Sequence, residues 1–543
     1  MANGTKHGIG QLFLRKSVEQ MHAEHAGSEL KKSLGALNLV LLGIGCIIGT
    51  GIFVLTGRAA AEFAGPGIMI SFIITGCLCA FVALSYSELA AAIPVSGSAY
   101  SYSYASMGEF TAWIMGLLLL LEYGVAASTV AVGWSGYTVS LLHDLGIHVP
   151  VALTIAPTET ATDPNTGAVV HGIMNLPAFI GIIAVTSLLT IGVTESATAN
   201  NIIVAIKVTV VLAFIIIGAF YVKPELWSPM IPPQDPPPPP GSDMSMWGQI
   251  TRAMGNVLTG NNTSHYGVGG LITGAATIFF AYIGFEAVST AGAESKNPAR
   301  DMPIGILGSL VVCTILYIAT CAVLVGIVPY TELNDPAPIA KAVNAIGLPW
   351  FAFLVKLGAF AGLSSVMLVL LYGQTRIFYS MSHDGLLPSV FARVHDKFKT
   401  PWINTILVGC VAAGFAGFMG LDFLGNITNV GTLVAFGIIC ITVIYLRFAR
   451  PNLERPFKMP AYATIPIAAL GAIMCFVLLM SLMAHAFTRN FFLIYLAVGL
   501  VIYFAYGLWN SKLAKGEVVT GHEPEADLGL SGQQPDPVQE GGG

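Results

Sequence analysis

The stretch Gly43-Ile44-Gly45-Cys46-Ile47-Ile48-Gly49-Thr50-Gly51-Ile52-Phe53 lies in the middle of an apolar segment running from about residue 37 to 60. Four of its glycines fall within nine positions. Glycine in a helix interior costs about 1 kcal/mol against alanine. A helix that only had to span would not collect that penalty at its centre. Two readings fit the pattern. One is close helix packing through small residues. The other is an unwound stretch whose free backbone groups hold a ligand. The glycines alone leave both open.

The rest of the 543-residue chain says what surrounds that segment. Hydrophobic types make up 55% and charged types only 10%, with a mean hydropathy of +0.75. A soluble domain carries about 25% charged residues, so this composition excludes a cytosolic enzyme, a nucleic-acid binder and a secreted domain. Lipid is the expected solvent. Apolar runs of spanning length recur twelve times, near 37–60, 68–93, 110–141, 174–192, 200–222, 270–292, 304–328, 350–380, 402–420, 427–447, 462–486 and 491–510. They are continuous rather than alternating, which excludes a β-barrel. The expected fold is all-α and integral to the membrane.

Orientation follows from the basic residues. With the N-terminus in the cytoplasm, seventeen Lys and Arg fall inside and five outside, with Lys207 and Lys356 left within helices. Both termini are therefore expected in the cytoplasm of a multi-pass cell-membrane protein. The first 35 residues are polar without an early apolar core, so no cleaved signal peptide is expected. The segment Gln11–Ala26 mixes apolar and basic residues. It could lie on the membrane face, bind a small membrane partner, or stay a flexible tail. Residues 511–543 read as a disordered tail. Long outer loops are expected at 143–175 and 223–269, the second holding the stiff run Pro236–Pro240. Asn262-Thr263-Ser264 fits a glycosylation acceptor, a pattern common by chance.

A second interruption lies in the sixth apolar run, Phe279-Phe280-Ala281-Tyr282-Ile283-Gly284-Phe285-Glu286. It places a glycine and a carboxylate at mid-membrane depth, and an intramembrane carboxylate is a functional candidate by default. Interruptions in helices one and six are what an inverted repeat of five plus five helices produces, with helices eleven and twelve outside it. The expected organisation is a cytoplasmic segment at 1–35, a transport domain at 36–510 and the tail. Within the domain, repeat one covers about 36–222 and repeat two about 270–447. Each break exposes amide N–H groups on one side and carbonyls on the other. The first suit a carboxylate and the second an ammonium, so the two breaks together suit a zwitterion such as an α-amino acid.

On these residues the chain resembles the amino acid–polyamine–organocation superfamily, in its cationic-amino-acid-transporter-like branch found in bacteria and animals. The carrying motifs are GIGCIIGTGIFVLTG at 43–57, AGPG at 64–67, SYSELAAAIPVSGSAYSYSY at 85–104, LEYGVAASTVAVGWSGY at 121–137, FFAYIGFEAVSTAGAESKNPARDMP at 279–303 and YGQTRIFYSMSHDGLLP at 372–388. The resemblance implies secondary active amino acid transport by alternating access, in a bacterial inner membrane. It implies that Ile47, Gly49, Thr50 and Gly51 receive the substrate carboxylate. Phe280, Ala281 and Ile283 then offer carbonyls to the α-ammonium, and Phe280 closes over the substrate as a gate.

Lys207 stands about 10 Å into the fifth helix by helical rise. A snorkelling lysine is the bland reading. The other is an internal ammonium that gains and loses a proton. The position matches a lysine that, in proton-coupled members of the branch, takes the place of a sodium ion. Sodium-coupled relatives build that place from the backbone of helix one and hydroxyls of helix eight. Ser364 and Ser365 stand at the corresponding position, as an ion-site remnant. A fixed ammonium would repel sodium there. Glu122, in the middle of helix three, is expected to tune Lys207 or else to bind a cationic substrate side chain. Glu286 is read as bridging helices, and Glu88 as structural or as part of an inner gate. Leu363, beside the serines, is a candidate pocket residue and leans the expectation towards neutral apolar substrates.

No cofactor is expected. Gly43-x-Gly45 lacks the third glycine of a dinucleotide fingerprint, because Ile48 stands there. The eight cysteines lie in apolar runs without metal spacing. His143, His171, His265 and His485 read as solvated or packing residues. The expected partners are an amino acid, a proton and the lipid bilayer, with no nucleic acid. Sodium coupling, amino acid exchange and, more remotely, a channel or receptor are the alternatives.

Overall fold

The computed structural model describes residues 9–16, 34–93, 98–163, 167–192, 197–235, 245–260 and 265–516. The proline run, the Asn262 sequon and the tail beyond 516 lie outside them, as do residues 17–26 of the N-terminal segment.

Among the described residues, nine helical stretches are long and apolar enough to cross a membrane, and Ala36–Ile47, Leu176–Thr190 and Trp402–Phe418 are shorter apolar helices. One of the nine, Gly51–Ala92, folds back on itself at Gly65, so it holds two passes. Gly65 has φ +58°, and a Cβ there would lie 2.4 Å from Pro232, so glycine is required at this reversal. With Ala36–Ile47 joined to 51–64 as one broken helix, the chain makes the twelve expected passes.

We label them α1 (Ala36–Ile47 and 51–64), α2 (Ile68–Ala92), α3 (Glu109–Asp144) and α4 (Leu176–Thr190). Next come α5 (Ala197–Ala219), α6 (Gly267–Gly292), α7 (Pro298–Ile327) and α8 (Pro349–His383). The last four are α9 (Trp402–Phe418), α10 (Leu421–Ala449), α11 (Ala461–Met483) and α12 (Ala486–Ile502, continuing to 510). In the two long loops, at 143–175 and 223–269, the described residues form a hairpin of Thr160–Thr162 with Val169–His171 and a helix, Met246–Leu258.

The helix pairing follows the repeat. The most extensive packing includes α2 on α7, α3 on α8 and α4 on α9, and the breaks of α1 and α6 also meet. Helices α2, α3 and α4 thus each lie against the one five places later, as expected where two inverted halves face one another. The apolar window of α6 is 89% buried and that of α12 only 22%. The broken helix α6 is central, and α12 lies largely exposed on the outside of the bundle.

The N-terminal segment docks on the rest of the chain. Gln11 donates to the Leu508 carbonyl at 2.5 Å, and Lys16 pairs with Asp384 at 2.8 Å. Both described ends therefore lie on one face. On that face Glu88 accepts Arg447 at 2.6 Å and Arg455 at 3.3 Å, tying α2 to α10 and the segment beyond it. Burial pushes the Arg455 guanidinium down, neighbouring Arg447 adds to this, and Glu88 opposes it. Removing one partner of a buried pair strands the other and costs about 3–5 kcal/mol. Glu88→Gln should therefore lower the melting temperature clearly, read by thermal unfolding in detergent.

Candidate functional site

The first half of α1 ends at Ile47. Ile48 turns extended (φ −73°, ψ 96°), and helical geometry resumes at Thr50. The first N–H groups of the second half have no intrahelical partner by construction. The carbonyls left by the first half are partly claimed: Tyr317 of α7 donates its hydroxyl to the Ile47 carbonyl at 2.8 Å, and Lys207 of α5 donates Nζ to the Gly45 carbonyl at 2.9 Å. Thr50 donates to the Val130 carbonyl of α3 at 3.4 Å. The glycine cluster thus encodes both readings at once. Gly49 sits in the break itself, whereas a Cβ at Gly45 would lie 2.7 Å from Val204 and one at Gly43 2.4 Å from Ser309.

In α6 the helix tightens over Phe279–Tyr282, then extends at Ile283 (ψ 133°) and reverses at Gly284 (φ +120°). The two breaks touch. A Cβ at Gly51 would lie 2.2 Å from the Ala281 Cα, and one at Gly284 2.8 Å from the Cys46 carbonyl carbon. Ile47, Gly49, Thr50 and Gly51 are therefore brought against Phe280, Ala281 and Ile283. Both groups are buried, with Phe280 and Ile283 each 6% exposed.

Lys207 is fully buried. Its Nζ reaches α1, and its alkyl chain lies along α8, where a Cβ at Gly362 would come within 3.0 Å of Cγ and Cε. It does not snorkel. Lys356, the other intrahelical lysine, pairs with Asp144 at 2.6 Å at the end of α3. Ser364 accepts Trp134 Nε1 at 2.9 Å and donates to the Phe360 carbonyl at 2.7 Å, so it is engaged with α3. Ser365 and Leu363 are buried.

Glu122 stands on a widened π turn of α3, Leu121–Val125. Glu122 is fully buried, and neither of its carboxylate oxygens completes a hydrogen bond. Glu286 Oε2 accepts the Gly284 N–H at 2.8 Å. Tyr317 is a feature of the site that sequence reasoning missed. A tyrosine inside an apolar helix was the available signal for it.

A cavity of about 330 Å³ opens on the face that carries the chain ends, and its lining includes Asn38, Cys46, Tyr123, Asn200, Thr290 and Tyr372. Its volume lies at the lower end of the ~300–1,000 Å³ range of ligand clefts. It climbs as far as Cys46 and Tyr123, directly beneath the breaks. Leu363 is not part of its lining. On the opposite face Arg58 of α1 pairs with Asp422 of α10 at 2.5 Å and with Glu62 at 3.3 Å.

A central pair of broken helices above a vestibule suits carriage, and sequence comparison assigns it. A model of the amino acid permease family matches residues 34–504. The chain belongs to that family. The methylthioribose transporter of Bacillus subtilis (strain 168) is 43% identical over 507 residues, covering 93% of this chain and 100% of the relative. The branched-chain amino acid permease BcaP of the same organism is 44% identical over 508 residues, covering 93% and 99%. The vacuolar cationic amino acid transporter 4 of Arabidopsis thaliana is 34% identical over 446 residues, covering 82% and 68%. This permease is a multi-span membrane transport protein, not an enzyme, and its superfamily is the one that its motifs resemble.

Proposed function

We propose that this permease moves an α-amino acid together with a proton by alternating access, in a cell membrane with both chain ends cytoplasmic. The transport unit is 36–510, with repeats at about 36–222 and 270–447. The observation that carries the proposal is the Lys207 ammonium on the Gly45 carbonyl, two residues before the end of the first half of α1. Protonation decides whether that donor is a cation, so it can bias how the first half of α1 sits against α5 and α8. The same ammonium occupies the place where a sodium ion would use the carbonyls of the break, so sodium coupling is disfavoured. Ile47, Gly49, Thr50 and Gly51 take the substrate carboxylate, Phe280, Ala281 and Ile283 its ammonium, and Phe280 gates the site. The vestibule is the cytoplasmic exit of an inward-facing state.

The substrate proposed is a neutral, apolar amino acid, supported by the branched-chain relative. The methylthioribose relative, of nearly equal identity, supports a second candidate: a thioether sugar with no zwitterion. Thermal unfolding of the purified protein with leucine, isoleucine, valine, arginine and methylthioribose separates them. A ligand of the native state at hundredfold its Kd stabilises by about 2.7 kcal/mol. Leucine, isoleucine or valine should raise the melting temperature, and arginine should not. A rise with methylthioribose alone would overturn the zwitterion reading. Uptake into proteoliposomes with choline in place of sodium should be unchanged, and sodium dependence would refute proton coupling.

A further inference from the structure

The break of α1 is held by a side chain from α5. Lys207 donates to the Gly45 carbonyl, two residues before the first half of α1 ends at Ile47. In an inverted repeat of five plus five helices, α6 and α10 stand where α1 and α5 do. There Asn429 of α10 makes the corresponding contact. Its Nδ2 donates to the Ala276 carbonyl at 2.8 Å and to the Thr277 carbonyl at 3.2 Å. The first half of α6 ends at Ile278, so Ala276 also stands two residues before the end. In a continuing helix these two carbonyls take the N–H groups of Phe280 and Ala281. Where the turn tightens over Phe279–Tyr282, Asn429 supplies a donor to each. Asn429 is fully buried, and its Oδ1 has no hydrogen-bond partner. A buried acceptor without a partner is unfavourable, so the donor end alone stabilises the amide here. Helix α10 also packs on the tightened turn itself. Phe436, two turns further along α10, meets Phe279 edge-on at 5.7 Å and Phe285 at 5.2 Å, so one ring bridges the two sides of the break.

We infer that Asn429 is a positioning residue for the substrate, the second-repeat counterpart of Lys207. By fixing the Ala276 and Thr277 carbonyls it sets the direction of the Phe280, Ala281 and Ile283 carbonyls that follow them. The inference rests on the reading above that these carbonyls take the substrate ammonium. The two devices differ in one respect. Lys207 changes charge with its proton, whereas an amide keeps both N–H donors whatever the pH. The break of α1 is therefore held by a switchable donor and that of α6 by a permanent one. A proton can then shift one side of the site while the ammonium end stays set.

The test uses the purified full-length protein. Asn429→Leu fills the space without a donor, and Asn429→Ser shortens the side chain so that its hydroxyl falls short of α6. A loss common to both reports the donors rather than the volume. Thr428→Val is the control, because that buried hydroxyl donates only within its own helix, to the Leu424 carbonyl at 2.8 Å. Without substrate, hydrogen exchange across 279–286 should rise about tenfold in both Asn429 variants, with 44–51 unchanged. Lys207→Met should give the reverse pattern, and Thr428→Val neither. Binding is then read by competition with labelled leucine. Leucine and leucinol, which keep the ammonium, should each bind about tenfold more weakly to the Asn429 variants. Isocaproate, which is leucine without its ammonium, should bind as it does to the wild type. Unchanged exchange at the α6 break in both variants, or an equal loss for all three ligands, would overturn the assignment. A wild type that binds leucine no better than isocaproate would instead refute the ammonium site of the proposed function. The exchange pattern would still decide whether Asn429 holds the break.

Discussion

Replacing Lys207 with alanine is expected to abolish accumulation driven by a pH gradient while leaving substrate exchange intact. The lysine joins α5, α1 and α8 through one side chain that ends in a titratable atom. Its Nζ lies 2.9 Å from the Gly45 carbonyl, and its methylenes fill the space against Gly362. At one proton per substrate, a gradient of one pH unit supplies about 1.4 kcal/mol and sustains about tenfold accumulation. The variant should equilibrate substrate and go no further, so its inside-to-outside ratio falls from about ten to about one. Counterflow should persist, because the facing breaks at Thr50 and Ala281 do not include the lysine. Lys207→Met supplies the control for packing: it keeps an unbranched chain against Gly362 but cannot carry a proton. Proteoliposomes with an imposed gradient and labelled leucine give the measurement. Concentrative uptake by either variant would show that coupling resides elsewhere, and loss of counterflow as well would show that the lysine builds the substrate site.

The breaks and the lysine are legible in the amino-acid sequence because each leaves a local trace. Glycines at 43, 45, 49 and 51 and a lysine in an apolar run are anomalies against their own neighbours. Pairings set by helix rotation leave no such trace. Glu122 is expected to tune Lys207, and the structure leaves both of its carboxylate oxygens without a hydrogen bond. Glu122 stands on a π turn over Leu121–Val125, which changes the helical phase of α3. Leu363 is expected to line a pocket. In a helix of 35 residues, however, the vestibule is lined further along, by Leu368, Val369, Tyr372 and Gly373. The docking of residues 9–16 is hidden for another reason. The Lys16–Asp384 pair joins positions 368 apart in the chain, and neither residue announces the other. The helix Ser98–Ser106 is rich in Ser and Tyr rather than apolar, so hydropathy passes over it.

Gly51→Ala is expected to weaken binding of every α-amino acid alike, whereas Gly49→Ala, two residues away, is expected to pack without a clash. The new Cβ at position 51 would sit 2.2 Å from the Ala281 Cα and 2.4 Å from its Cβ. These atoms belong to the backbone of α6 or are fixed to it, so no rotamer change makes room. At position 49 the nearest atoms are those of Val366, at 3.6 Å, which is ordinary contact. Overpacking a tight interior costs about 1–3 kcal/mol, and an unyielding neighbour belongs at the upper end of that range. The breaks would be wedged apart, and that separation acts on the main-chain groups common to all amino acids. The loss should therefore be uniform across leucine, valine and alanine in competition assays, with a lower melting temperature for Gly51→Ala than for Gly49→Ala. Gly284→Ala should behave like Gly51→Ala, for two reasons together: a φ of +120° that L-residues rarely adopt and a Cβ 2.8 Å from the Cys46 carbonyl carbon. A changed order of preference among substrates, with overall affinity kept, would mean that residue 51 borders the side-chain pocket. The carboxylate end of the substrate would then have to be sought on other backbone than the second half of α1.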